Sequence, residues 1–442
     1  MNYILNRKIN IKVVLEYGVY FLVFLLSLQT RLFLRSGEIA GGYTEYLTIS
    51  LYGVDILLII LLVLNLFSKF KDFKIKSELL RVWYIIGGLE LIVFISCFFA
   101  SDKLLTFYRY VLFLLGIGLF WLIISVNFSK IKLLYSFFAG LFLQASLAIW
   151  QFLSQSTFSF KWLGLARHNP VDLGVSVIET VGIDGVGERW LRAYGGFDHP
   201  NVLGGTMAIA LMVFISQSSK KDKIFKKNLF YQVLYYLLLA FLLTALFFSF
   251  SRAAFLALIV GIFITLIFTI IEKDWAKQRN ILELILVGSI IIFFLLSQFG
   301  NLVNTRIEGD TRLENKSNKE RVVYLRQARD IIKDNFYIGT GIGNYIYNLN
   351  LDEKKEAWDY QVVHNVFLLV FAEIGFFGLI YFIIFLSSLS ILSVKKNKSN
   401  YLGLPLLFSL VVIMLLDHWL WSSHFGVLLF WFISGLIIKE SK

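Results

Sequence analysis

The densest run of chemically capable residues is Arg192-Ala-Tyr-Gly195-Gly196-Phe-Asp-His199-Pro200-Asn201. Pro200 and Asn201 stand where a helix would begin, which leaves free backbone N–H groups and a positive dipole end. An anionic group could dock there. A glycine-rich turn closed by an asparagine cap accounts for the same residues without chemistry. Arg252 follows Ser251 where two apolar runs meet, and no acidic residue occurs in the twenty positions before it. A guanidinium so near hydrocarbon is costly and calls for an anionic partner, unless it snorkels to the headgroups.

His364-Asn365 opens a later apolar run, and Glu373 follows inside it. An imidazole changes protonation near neutral pH, so His364 is a candidate base or donor to phosphate, with a purely structural histidine as the alternative. Glu373 is expected to pair inside a helical bundle. Asp417-His418 and His424 form another polar group between the last two apolar runs. They share no ligand-type spacing with His364, and the chain has no D-x-D, so no obligatory metal is expected. Gly339-Thr-Gly341-Ile-Gly343 lacks the Lys-Ser/Thr of a phosphate loop and reads as a turn. Arg321 is a weaker candidate, because Arg321, Arg326 and Arg329 could form a solvated face.

These groups must be positioned by a membrane protein. Of 442 residues, 58% are hydrophobic and 16% charged, well under the quarter usual for soluble domains. A water-soluble enzyme is excluded. The single cysteine, Cys97, excludes a disulfide framework. The 44 phenylalanines and three prolines fit helices better than the alternating ten-residue segments of a barrel. Windows of about 20 apolar residues predict an all-α bundle of about twelve transmembrane helices. They fall near 13–34, 47–67, 80–100, 105–127, 131–154, 201–217, 229–250, 252–271, 281–299, 364–393, 402–417 and 421–438. The first run lacks a signal-peptide cleavage site and reads as a retained helix.

Five regions follow from this count. They are an N-terminal five-helix membrane region (1–154), a first extracytoplasmic loop (155–200), central membrane helices (201–299), a large extracytoplasmic loop (300–363) and C-terminal membrane helices (364–442). The second loop contains an amphipathic stretch, Lys319 to Lys333. The net charge of +12 could suggest nucleic acid, but the basic residues gather in alternate connections. Those include Lys71, Lys74 and Lys76, then Lys220 to Lys227, and Lys396 and Lys398, with Arg7, Lys8 and Lys442 at the ends. By the positive-inside rule these segments and both termini face the cytoplasm, and the two long loops lie outside.

In order along the chain, R-A-Y-G-G-F-D-H-P-N (192–201), S-R (251–252), E-R (320–321), G-T-G-I-G-N-Y (339–345), H-N (364–365) and A-E-I-G-F-F-G-L (372–379) resemble the bacterial O-antigen ligase and polymerase superfamily of membrane glycan transferases. The resemblance runs from about Arg192 to Phe430; the first five helices share only hydropathy and number. One departure is Phe336, where the family often has proline before the glycine-rich turn. The resemblance implies a glycosyltransferase of the C type, multi-pass in the bacterial cytoplasmic membrane, with an extracytoplasmic site, no cofactor and a glycan on undecaprenyl diphosphate as donor. The acceptor would be a lipid core or another polysaccharide unit.

By the same resemblance, Arg192, Arg252 and Arg321 would hold the diphosphate with Asn201 and Asn365, and His364 would assist the acceptor or leaving group. His199, Glu373, Asp417 and His418 would support them. The chemistry is consistent: guanidinium groups stabilise departing oxyanions by charge-assisted hydrogen bonds, and an acceptor hydroxyl needs a base within reach. Two other readings use the same residues. A lipid-linked oligosaccharide flippase or other transporter would place charges near the midplane in related halves, whereas the buried acids Asp55 and Glu90 are few. A docking module for envelope proteins leaves Arg252 unexplained.

Overall fold

The computed structural model describes residues 10–69, 77–181, 187–217, 228–309, 312–349, 356–395 and 403–440. The basic positions Arg7, Lys8, Lys71 to Lys76, Lys220 to Lys227, Lys396, Lys398 and Lys442 lie outside the described residues. Apolar helices occupy each of the twelve expected places. They are α1 (Ile11–Leu25), α2 (Gly53–Lys69), α3 (Ser77–Ser96), α4 (Lys103–Ser125), α5 (Lys130–Ser154), α6 (Pro200–Ser216), α7 (Leu229–Ser249), α8 (Arg252–Ile271) and α9 (Trp275–Glu308), then, after the polar α10 (Arg312–Asp334), α11 (Val366–Lys395), α12 (Gly403–Leu416), the short α13 (Trp419–Ser422) and α14 (His424–Glu440). Among the described residues, seven helices are long and apolar enough to cross a membrane; Gly53–Ser68, Pro200–Ser216, Gly403–Leu416 and His424–Lys439 are shorter apolar helices.

Packing explains why some of the shorter helices are apolar all round. In α6 every residue from Val202 to Ile215 is buried, as expected of a helix inside a bundle. It packs on α7, α8 and α12, while α14 packs on α4 and α11. Outer helices instead present Tyr84, Phe263, Phe293 and Phe294 to the surroundings, the exposed apolar surface that a lipid environment covers.

Two boundaries differ from the sequence reading. The first helix ends at Leu25, not near 34, and the second begins at Gly53, not 47. Between them Arg31–Arg35 (β1) pairs antiparallel with Ile49–Tyr52 (β4), and Glu38–Ile39 (β2) pairs with Gly42–Tyr43 (β3). Leu32, Phe33 and Leu34 extend the apolar run in sequence but are exposed strand residues. The first long loop carries a further hairpin, Val177–Val181 (β5) with Gly187–Leu191 (β6). The amphipathic stretch is longer than Lys319 to Lys333, filling α10.

The glycine-rich turn and the later helix fit together. α11 is interrupted at Gly375, with φ of 69° and ψ of −173°. Carbonyls freed by the break accept from the turn: Thr340 N donates to Ala372 O (2.9 Å) and Gly341 N to Glu373 O (2.8 Å). Phe376 N donates to Phe336 O at 2.9 Å. A Cβ on Gly375 would lie 2.2 Å from the Tyr337 carbonyl oxygen, so both the left-handed conformation and the close approach require glycine.

Candidate functional site

Arg192 directly follows the β5–β6 hairpin, which delivers its buried guanidinium to the bundle. Its Nε and Nη2 donate to the Ser249 carbonyl (2.9 and 2.7 Å), which a helix C-terminus leaves free. Nη2 also donates to Asn201 Oδ1 at 2.8 Å, and Asn201 Nδ2 donates to Asp417 Oδ2 at 2.8 Å. The His418 backbone N–H donates to Asp417 Oδ1 at 2.8 Å. A continuous polar chain thus joins Arg192 to Asp417. Burial, with Arg306 adding repulsion, pulls Arg192 down to about 9, so it remains cationic at neutral pH.

Three imidazoles sit around that chain. His199 caps α6, its Nδ1 accepting from Asn201 N (3.1 Å) and its Nε2 lying 3.0 Å from Ser176 Oγ. His364 stacks on Tyr324 at 5.9 Å and meets the edge of His418 at 4.9 Å. His418 Nδ1 lies 2.7 Å from Ser422 Oγ. Burial pulls His199 and His418 down to about 3 and also lowers His364, whose neighbours Asp417 and Arg321 act in opposite directions. All three are neutral at pH 7. Burial opposes the charge on Asp417, but attraction to the neighbouring imidazoles as they protonate, together with the His418 N–H, more than offsets it and holds the carboxyl below its ordinary range. The ligating atoms of His364, Asp417 and His418 come within 4.8 Å of one another. Scattered in sequence, these three are a compact group in space that could hold a cation. His424 lies apart from them, paired with Asp55 at 2.7 Å and stacked on Tyr52.

The second half of the site is cationic. Phe250 and Ser251 alone separate α7 from α8, and Ser251 caps the helix that begins with Arg252. Arg252 Nη1 donates to the Arg306 carbonyl (3.1 Å), and Nη2 lies 3.5 Å from Glu314 Oε2. Glu314, 4% exposed, also pairs with Arg306. Arg252, Arg306, Arg321 and Asn201 line a cavity of about 140 Å³. Two of the three guanidinium groups, those of Arg252 and Arg306, share the buried Glu314 carboxylate. Among the described residues Arg321 makes no salt bridge of its own, so the pocket holds a surplus of positive charge.

Two larger chambers adjoin it. One, of about 320 Å³, is lined by Arg189, Arg312, Lys316, Arg321, His199 and His364. The other, of about 280 Å³, takes in Asn201, His199, His364, Asp417 and His418 together with Glu45, Asp198 and several aromatic rings. His199 and His364 line both, so His364 stands at their boundary. Arg252, Arg321, Asn201, His199, His364, Asp417 and His418 are thereby gathered along connected walls, and Arg192 reaches them through Asn201.

Other expected residues have structural partners. Asn365 caps α11, accepting from Leu368 N (3.0 Å), and donates to the Leu415 carbonyl (3.0 Å). Glu373 accepts from Trp421 Nε1 at 2.8 Å inside the bundle. Sequence reasoning missed Arg306, Glu314, Asp198 and Glu45. A helix-terminal arginine paired with a buried acid carries no motif, although Asp198 lies inside the run that drew attention to His199.

The O-Antigen ligase family model matches residues 237–383, which contain Arg252, Arg306, Glu314, Arg321 and His364. No curated protein matches the chain.

Proposed function

We propose, from the match of residues 237–383 to the O-Antigen ligase family model, that the chain is a membrane glycan transferase of ligase or polymerase type, that its donor is a glycan on undecaprenyl diphosphate and that transfer takes place on the extracytoplasmic face of the bacterial cytoplasmic membrane. Both termini then lie in the cytoplasm, in keeping with the basic segments. The observation that carries this reading is the pocket lined by Arg252, Arg306 and Arg321, of which, among the described residues, only the first two pair with a carboxylate, that of Glu314.

Such a pocket suits a diphosphate. Planar guanidinium groups bind phosphate oxygens in pairs, and they stabilise the charge that develops as the anomeric C–O bond breaks. Arg192 holds Asn201 in place, and Asn201 orients Asp417. The acceptor hydroxyl oxygen attacks the anomeric carbon, the diphosphate departs with the bonding electrons, and the hydroxyl proton passes to neutral His364. One displacement of this kind inverts the anomeric centre. Loss of a diphosphate already bound by arginines needs no metal in this scheme.

The test is transfer by the full chain in lipid nanodiscs, using a lipid-linked oligosaccharide and candidate acceptors. Arg252→Ala, Arg321→Ala and His364→Ala should each abolish product, and the product should carry the opposite anomeric configuration to the donor. Wild-type turnover in all three variants, or retained configuration, overturns the mechanism.

A further inference from the structure

The charge on the two larger chambers is divided. Among the described residues, the acidic side chains on the wall of the 280 Å³ chamber are Glu45, Asp198 and Asp417, and the one lysine or arginine there is Arg109. Arg109 is already committed, its two Nη atoms donating to the Ser422 and Tyr46 carbonyls at 2.9 and 3.0 Å. Asp417 is held by Asn201 and by its neighbour's N–H, and Glu45 by Arg31 and Tyr43. Asp198 differs from both. It is open to water-sized contact although protein surrounds it, and it makes no hydrogen bond or salt bridge among the described residues.

Aromatic faces complete that chamber. Tyr43 and Trp358 are 50% and 42% exposed. They come from adjoining segments, since Gly42 packs on Ala357. Exposed rings that flank an unpartnered carboxylate suit a sugar, whose C–H face lies on an aromatic ring while its hydroxyls donate to the acid.

We propose that this chamber is the acceptor subsite, that it takes the uncharged end of a glycan, and that Asp198 receives that sugar's hydroxyl hydrogen bonds. The inference rests on the transferase reading, which leaves the acceptor open, and places acceptor and donor on either side of Asn201, which lines both this chamber and the cationic pocket. It also sets selectivity, because an acceptor terminus bearing phosphate would face three carboxylates while, among the described residues, the nearby arginines Arg31 and Arg109 are already bonded to Glu45 and to backbone carbonyls, a repulsion that rejects the wrong partner. Desolvation by the enclosing protein walls, with Glu45 adding repulsion and Arg31 partly offsetting it, pushes the Asp198 carboxyl up to about 6, and at neutral pH it is ionised and ready to accept.

The experiment is binding, so that it does not depend on turnover. The full chain in nanodiscs is titrated with an uncharged tetrasaccharide and with the same tetrasaccharide carrying a terminal phosphomonoester. The uncharged sugar should bind at least about tenfold more tightly, the worth of one lost charge-assisted hydrogen bond. Asp198→Asn and Trp358→Ala should each weaken it about tenfold while leaving undecaprenyl diphosphate binding unchanged. Equal binding of the two sugars, or loss of undecaprenyl diphosphate binding in Asp198→Asn, overturns the subsite. Normal sugar binding with no transfer from any donor leaves the subsite standing and sinks the transferase reading instead.

Discussion

Arg252 and Glu314 face each other at 3.5 Å across the junction of α8 with α10, the one exposed by 40% and the other by 4%. The carboxylate is therefore the fixed, buried member, and the guanidinium keeps an open side toward the cavity. A buried carboxylate shared by two arginines is a structural group, and removing it leaves their charges without compensation. Glu314→Gln should destabilise the protein by about 3 kcal/mol, read as a lower midpoint in thermal unfolding in detergent. Arg252→Lys should fold normally yet lose most donor binding, because an ammonium cannot reproduce a bidentate grip.

His364 should set the acid limb of activity. Its burial lowers its proton affinity, and the neutral ring is the form that accepts the hydroxyl proton. Turnover should therefore persist below pH 6.5, the ordinary midpoint for imidazole, before falling. An acid limb at or above that midpoint would assign the proton to another group.

Stability should weaken on acidification for a related reason. His199 and His418 have folded-state values of about 3, against roughly 6.5 in an unfolded chain. Between these values the unfolded state binds more protons, so the contribution of each is complete above pH 6.5 and declines by up to roughly 1.4 kcal/mol per pH unit as pH falls toward 3. Denaturant midpoints measured from pH 7 to 4 check this, and His418→Gln should flatten the slope.

Chelation distinguishes two uses of the His364, Asp417 and His418 group. If arginines carry the diphosphate, dialysis against a strong chelator should leave transfer at its starting rate. A loss of activity restored by one divalent cation would turn these three residues into metal ligands.

Gly375→Ala probes the interrupted helix. The added methyl meets the Tyr337 carbonyl at 2.2 Å in a left-handed backbone conformation. The cost should reach roughly 1–3 kcal/mol for the conformation alone, with the clash in addition, and should appear as lowered yield of folded protein.

Much of the architecture could be read from residue order. Helix positions follow from apolar windows because a membrane imposes a minimum run on each crossing, and α8 falls where 252–271 places it. The β1–β4 pair was hidden since Leu32 to Leu34 continue the preceding apolar run, and only pairing with residues 49–52 makes them a strand. Likewise Arg252 shows no acid upstream, yet its counter-ion is Glu314, supplied by a helix two elements later. The grouping of His364 with Asp417 and His418 was equally illegible, because nothing in their spacing records that α11 and α12 meet at those ends. Local chemistry is written in the sequence, whereas partners brought by folding are not.

The amide contact between Asn201 and Asp417 spans 216 positions, which has a bearing on biosynthesis. A ribosome delivers Arg192, Asn201 and every guanidinium of the cationic pocket to the translocation machinery well before it reaches Asp417, the carboxylate that accepts from the Asn201 amide. A nascent chain halted ahead of residue 417 would already own its phosphate-gripping arginines but leave Asn201 without its terminal acceptor. Completion of the site is in this way tied to arrival of the last membrane segments.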